Sequence, residues 1–319
     1  MKRNKLFVLL LSLIMLLTAC NFNSKPQIKE KDDGKINIVA SFFPYWDLVN
    51  RIAADRVNLI NLSQTGSAHG YEPSVEDMQN IVDADLIFIN GVSFENWTDR
   101  VMKANPELKF IDLSKNIDLL EVSLLAEDFD EEIHDDKDDH QGHNHGLYDP
   151  HIWMSPVNAK IMLNDIRLAL VEADPSNADF YEANYKTAIT DFDSLINKYK
   201  KEFKDIQGKD IVVPHVAFGY LVRDLGIRQL GISGIHSEND PTLTRLVEIT
   251  DIMQERGLST VFYEYGKDPR MAEAIANEIG GQARPISTLE VITDLQLEVG
   301  DDYLSLMEMN ISNILESFK

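Results

Sequence analysis

A chain of 319 residues, 44% hydrophobic and 26% charged, is long enough for two globular domains of ordinary size. Its formal net charge of −23 argues against nucleic acid or a bare anionic membrane as partner and favours attraction of cations. The single cysteine, Cys20, excludes an internal disulfide.

Lys2, Arg3 and Lys5 precede an apolar run, 6–17, that is too short for a membrane span and reads as the core of a signal peptide over 1–19. Its removal leaves 27 basic against 53 acidic residues, a net charge of −26. The run closes on Leu17-Thr18-Ala19-Cys20, which resembles the lipobox of bacterial lipoproteins. That resemblance implies lipidation at Cys20 and anchoring at the outer face of a cell membrane, periplasmic in a double-membrane cell. Residues 20–35 are polar and aperiodic and read as a flexible tether.

From residue 36 onward, strands and helices alternate. Strands are expected at 36–41, 57–62, 85–90 and 110–113. Between them come a helix opened by Pro44, a loop at 63–73, a helix capped by Ser74 with Asp77 at the capping-box position, and a helix at 97–104. Residues 121–148 are too polar to be anything but an insert in this first lobe, 36–174. Ser155-Pro156 opens a further helix, broken at Asp174-Pro175. The longest helical pattern follows, with Tyr181, Tyr185, Ala188, Phe192, Leu195 and Tyr199 on one stripe. It reads as a rigid connector, 175–206, because a second strand–helix series starts directly after it, with strands at 211–213, 228–232, 260–264 and 283–286 and a last helix from about 301. The expected fold is α/β: two similar lobes, the second 207–319, each a parallel sheet flanked by helices, joined by one long helix. Open sheets of this kind bind ligands beyond the carboxyl ends of their strands, which puts the site in the interlobe cleft.

Five of the eight histidines fall between 134 and 156. The acidic tract 134–146, with His134, His140, His143 and His145, has no means of building a core and reads as a mobile arm that collects metal weakly. The stretch Asp149-Pro150-His151-Ile152-Trp153-Met154-Ser155-Pro156 can pack. His151 precedes a helix there, while His69 and His215 follow the strands at 57–62 and 211–213. A lone histidine is more often a hydrogen-bonded structural residue; three at equivalent topological positions point to a metal. Glu264 could line the cleft but is more naturally paired with a cation, Arg270 being near in sequence. His236 reads as a solvated loop residue, Glu72 as an ordering group for the loop of His69, and Tyr71 and Trp153 as packing walls.

These residues reach a known family. Gly66-Ser67-Ala68-His69-Gly70-Tyr71-Glu72-Pro73-Ser74, the 149–156 stretch, His215-Val216-Ala217-Phe218-Gly219-Tyr220-Leu221 and Thr288-Leu289-Glu290-Val291-Ile292-Thr293 resemble motifs of the solute-binding lipoproteins of bacterial zinc and manganese ABC transporters. The resemblance spans nearly the whole mature chain. It implies capture of Zn2+ at the cell surface, as a monomer, and delivery to a membrane permease. It also implies metal ligands at His69, His151, His215 and a fourth, carboxylate position that Glu290 matches, with Asp294 a possible rival. Ala68 stands where the family often has proline. Three imidazoles and one carboxylate suit zinc; Mn2+, the alternative, prefers more oxygen. Two readings from other classes are an extracellular zinc hydrolase, which lacks any H-E-x-x-H and any obvious placed general base, and an adhesin that merely carries metal.

Overall fold

The computed structural model describes residues 34–63, 68–122, 147–235 and 241–319. The signal and lipobox region with Cys20, the histidine arm with His134, His140, His143 and His145, His236, and Gly66-Ser67 of the first motif lie outside the described residues.

The first half runs β1 (Asn37–Phe42), α1 (Phe43–Ala53), β2 (Asn58–Ser63), α2 (Val75–Val82), β3 (Leu86–Ile89), α3 (Thr98–Ala104) and β4 (Phe110–Asp112). Its strands pair in parallel in the order β2-β1-β3-β4. Two helices follow, α4 (Pro156–Ala173) and α5 (Ala178–Glu202). The second half runs β5 (Asp210–His215), α6 (Gly219–Leu225), β6 (Arg228–Ser233), α7 (Leu243–Arg256), β7 (Thr260–Glu264), α8 (Arg270–Glu278), β8 (Gln282–Ile286), α9 (Asp294–Glu298) and α10 (Tyr303–Glu316). Its order is β6-β5-β7-β8, again parallel. The two halves thus repeat one topology, and the α/β expectation stands. Among the described residues no helix is long and apolar enough to cross a membrane.

Strand alternation decides where the cores lie. Ile38, Ala40 and Phe42 of β1 face one way and join Ile211 and Val213 of β5 in a single apolar cluster. Val39 and Val212 face the opposite way, into smaller clusters on the outer face of each sheet. The large cluster also contains Phe192 and Tyr199 of α5 and Met307 and Ile311 of α10. Uninterrupted by glycine or proline, the 25 residues of α5 extend about 37 Å at 1.5 Å per residue. That helix packs on α1 and α4 from the first half and α10 from the second, with the rings of Phe192 and Tyr303 centred 5.3 Å apart. Of the expected stripe on α5, Tyr185 is only partly covered, whereas Ile196 is buried.

Two local details depart from the sequence reading. Ile152–Met154 form one 3-10 turn between His151 and the Ser155 cap, and α9, capped by Thr293 with Gln296, was not anticipated.

Candidate metal centre

His69 lies in the segment after β2, anchored by the α2 cap: Ser74 and Asp77 close a capping box, and the Tyr71 hydroxyl donates to Asp77 at 2.7 Å. Phe94 packs against the His69 ring in a T-shaped pair, with centroids 4.8 Å apart. His151, fully buried, is oriented by Asp149, whose Oδ1 accepts from the His151 backbone N–H at 2.9 Å and lies 2.7 Å from ring Nδ1. A carboxylate there selects the Nδ1–H tautomer, which leaves Nε2 with its lone pair turned to the cluster. His215 ends β5, and its Nε2 is buried with no hydrogen-bond partner among the described residues. Burial, helped by the neighbouring His151, pulls the His215 imidazole down to about 3, so it stays neutral.

Glu290 follows β8 on a turn in which Leu289, a buried non-glycine residue, has φ of 59°. Asn310 of α10 holds that turn from below: its Oδ1 accepts from Ser287 N–H at 2.7 Å, and its Nδ2 donates to Ser287 O at 2.7 Å. Burial alone would raise the Glu290 carboxyl; the hydrogen bond to His69 and the surrounding imidazoles outweigh it and bring it below the ordinary value.

These four side chains converge. One ligand atom from each lies within 4.8 Å of the others. His69 Nε2 is 3.2 Å from His151 Nε2 and 3.5 Å from Glu290 Oε1. Donors about 2.0–2.1 Å from a tetrahedral ion stand about 3.3 Å apart, so one Zn2+ fits this space with modest contraction. The unpartnered His215 nitrogen is a further fit, since burying a polar atom without a partner is costly unless a ligand answers it.

The three histidines do not stand at equivalent topological positions, contrary to expectation. All but His151 follow strand carboxyl ends, yet His69 follows edge strand β2 and His215 ends β5, whose counterpart is β1. Of the other candidates, Glu264 pairs with Lys267 at 2.9 Å, and Arg270 pairs with Asp268 instead. Glu72 pairs with Arg100 at the surface. Trp153 does pack beside the site, 5.2 Å from the His151 ring, whereas Tyr71 joins the outer-face cluster of the first sheet. Asp294 opens α9. Three supporting residues escaped the sequence reading: Asp149, Asn310 and Glu95. Only Asp149 carried a signal, an acid two residues before a histidine in a packable stretch.

The family described as ZnuA, zinc-uptake complex component A, periplasmic, matches residues 38–317. The chain belongs to this family. The high-affinity zinc uptake system protein ZnuA of Bacillus subtilis is 29% identical over 320 residues, covering 99% of this chain and 98% of that one. The zinc-binding lipoprotein AdcA of Streptococcus pneumoniae is 30% identical over 315 residues, but the chain spans only 61% of its length. The crystal structure of the Zn(II)-bound ZnuA-like domain of Streptococcus pneumoniae AdcA superposes with a TM-score of 0.75 at 27% identity, covering 89% of this chain and 99% of that one.

Proposed function

We propose that this ZnuA-family chain captures Zn2+ outside the cytoplasm through His69, His151, His215 and Glu290 and hands it to a membrane permease for import. It is a transport component, not an enzyme. The convergence of three imidazoles and one carboxylate, all from the described core, carries this reading. The donor set favours a four-coordinate borderline ion; Mn2+ and Ca2+ call for more oxygen. Two features outside the described residues extend it. Cys20 is the lipid-anchored residue that keeps the chain at the membrane, and His134, His140, His143 and His145 bind zinc weakly and raise its local concentration near the tight site.

Competition against a zinc chelator tests the central claim. Wild type should take up one zinc tightly and prefer it over Mn2+, while His151→Ala and His215→Ala should each weaken binding by orders of magnitude. Wild-type affinity in both variants, or a preference for Mn2+, would refute the assignment.

A further inference from the structure

Residues 90–95 follow β3 and touch no ligand through their own polar atoms, yet their conformation is costly. Gly91, Val92 and Ser93 all lie in the left-handed region, with φ of 78°, 53° and 57°. Two of these are not glycine, and Val92 is β-branched, so the loop stores strain that its surroundings must offset. A side chain at position 91 is excluded as well, because its Cβ would fall 2.1 Å from Asp112 Oδ1.

Glu95 closes this loop. It is 8% exposed, and its two oxygens accept from the backbone N–H groups of Asn90, at 2.7 Å, and Gly91, at 3.2 Å. Phe94 N–H donates to Gly91 O at 3.0 Å. The closed loop reaches the site by two routes. Phe94 packs T-shaped against the His69 ring and also on Trp153, centroids 5.0 Å apart. Asn90 Nδ2 donates to the carbonyl of Pro150, next to His151, at 3.0 Å. Burial pushes the Glu95 carboxyl up to about 7, so the chain keeps an expensive buried acid at this position.

We propose that Glu95 is a positioning residue for the metal centre: its buried carboxyl group, accepting through both oxygens, holds the left-handed loop closed, which places Phe94 against His69 and Asn90 against Pro150. The assignment rests on the four-residue centre described above. A glutamine at 95 keeps the volume but turns an N–H2 toward one of the two backbone N–H groups, so one tie is lost. The loop then relaxes and the His69 ring loses its backing.

The test is zinc competition and the visible spectrum of the Co2+-loaded protein for wild type, Glu95→Gln, Phe94→Leu and the double variant. Each single change should raise Kd about tenfold, as supporting groups around a metal do, and shift the Co2+ bands. Because Glu95 acts through Phe94, the double variant should sit well short of the product of the single effects. Ile275→Ala, in the outer cluster of the second sheet, gives a comparison in which stability falls and Kd and spectrum hold. If Glu95→Gln does not fold, Glu95→Asp, with the carboxylate withdrawn by one methylene, should show the same loss. A folded Glu95→Gln with wild-type Kd and spectrum overturns the assignment, as does a double variant whose effects multiply in full. A wild type that binds no zinc would instead remove the centre itself.

Discussion

The indole N–H of Trp153 donates to the carbonyl oxygen of Thr288 across 2.8 Å, joining the turn that carries His151 to the turn that carries Glu290. Tyr303 completes the link by donating to the Trp153 carbonyl at 2.6 Å. Side-chain bonds to the main chain thus join the turns that carry candidate ligands from the two halves. Trp153→Phe keeps an aromatic ring against Phe42 and Phe94 but removes the donor and strands the Thr288 carbonyl. The expected loss is about 1–3 kcal/mol of stability, with weaker zinc binding. Urea denaturation with and without zinc measures both; an unchanged midpoint would show the bond to be dispensable.

Asp149 is the next test. Asp149→Asn retains one acceptor for the His151 ring but loses the charge and can present its amide instead, which would favour the wrong tautomer. Zinc affinity should drop by about 10- to 100-fold, the usual cost of disturbing a group that orients a histidine ligand. Chelator competition reads this directly, and wild-type affinity would rule the role out.

Among the described residues, Asn310 supports Glu290 through its two bonds to Ser287. Asn310→Leu leaves both the N–H and the C=O of Ser287 buried without their partner, at a cost of about 2–4 kcal/mol. Asn310→Asp keeps the acceptor for the Ser287 N–H and, held protonated by its burial, can donate its O–H to the Ser287 carbonyl, so it should lose less. Thermal melts that rank Leu below Asp below wild type are expected; the reverse order would contradict the reading of the two bonds.

Glu95 also predicts a pH dependence of stability. Its folded-state carboxyl is raised, by burial, to about 7 from an ordinary 4.5. A raised value means that the folded state holds the proton more tightly than the unfolded one. The contribution to stability is therefore complete below about 4.5 and is lost as pH climbs to about 7, a swing on the order of 2–3 kcal/mol. Glutamine does not titrate, so the stability of Glu95→Gln relative to wild type should climb between pH 5 and pH 8. Denaturation series at the two pH values check this, and parallel curves would mean that Glu95 ionises normally.

Much of this architecture was legible because strand and helix periods, proline starts and the Ser74 and Ser155 caps are local signals. The three histidines were legible for a related reason: each stands beside such a signal, after a strand or before a capped helix. What the sequence concealed is non-local or conformational. Asn310 lies among the buried residues of α10, and nothing near it in sequence names Ser287, 23 residues away, as its partner. Val92, Ser93 and Leu289 adopt positive φ without being the glycine or asparagine that would announce it. Glu95 stands in sequence among mixed polar and apolar residues that do not announce its burial, and its cost becomes visible only when the backbone it ties is seen. The Trp153–Thr288 bond spans 135 residues and could not be read from either motif alone.

The apolar cluster that continues from β1 through α5 to β5 and α10 has a calorimetric consequence. Neither sheet owns a separate inner core, so neither half can melt while the other keeps its packing. Heating should produce one endotherm whose van 't Hoff and calorimetric enthalpies agree over residues 36–319. Zinc bound at the proposed four-residue centre would then displace that whole endotherm upward by mass action rather than split it. The rise in melting temperature on adding zinc, taken against each variant's own zinc-free melt, accordingly ranks a family of variants for affinity.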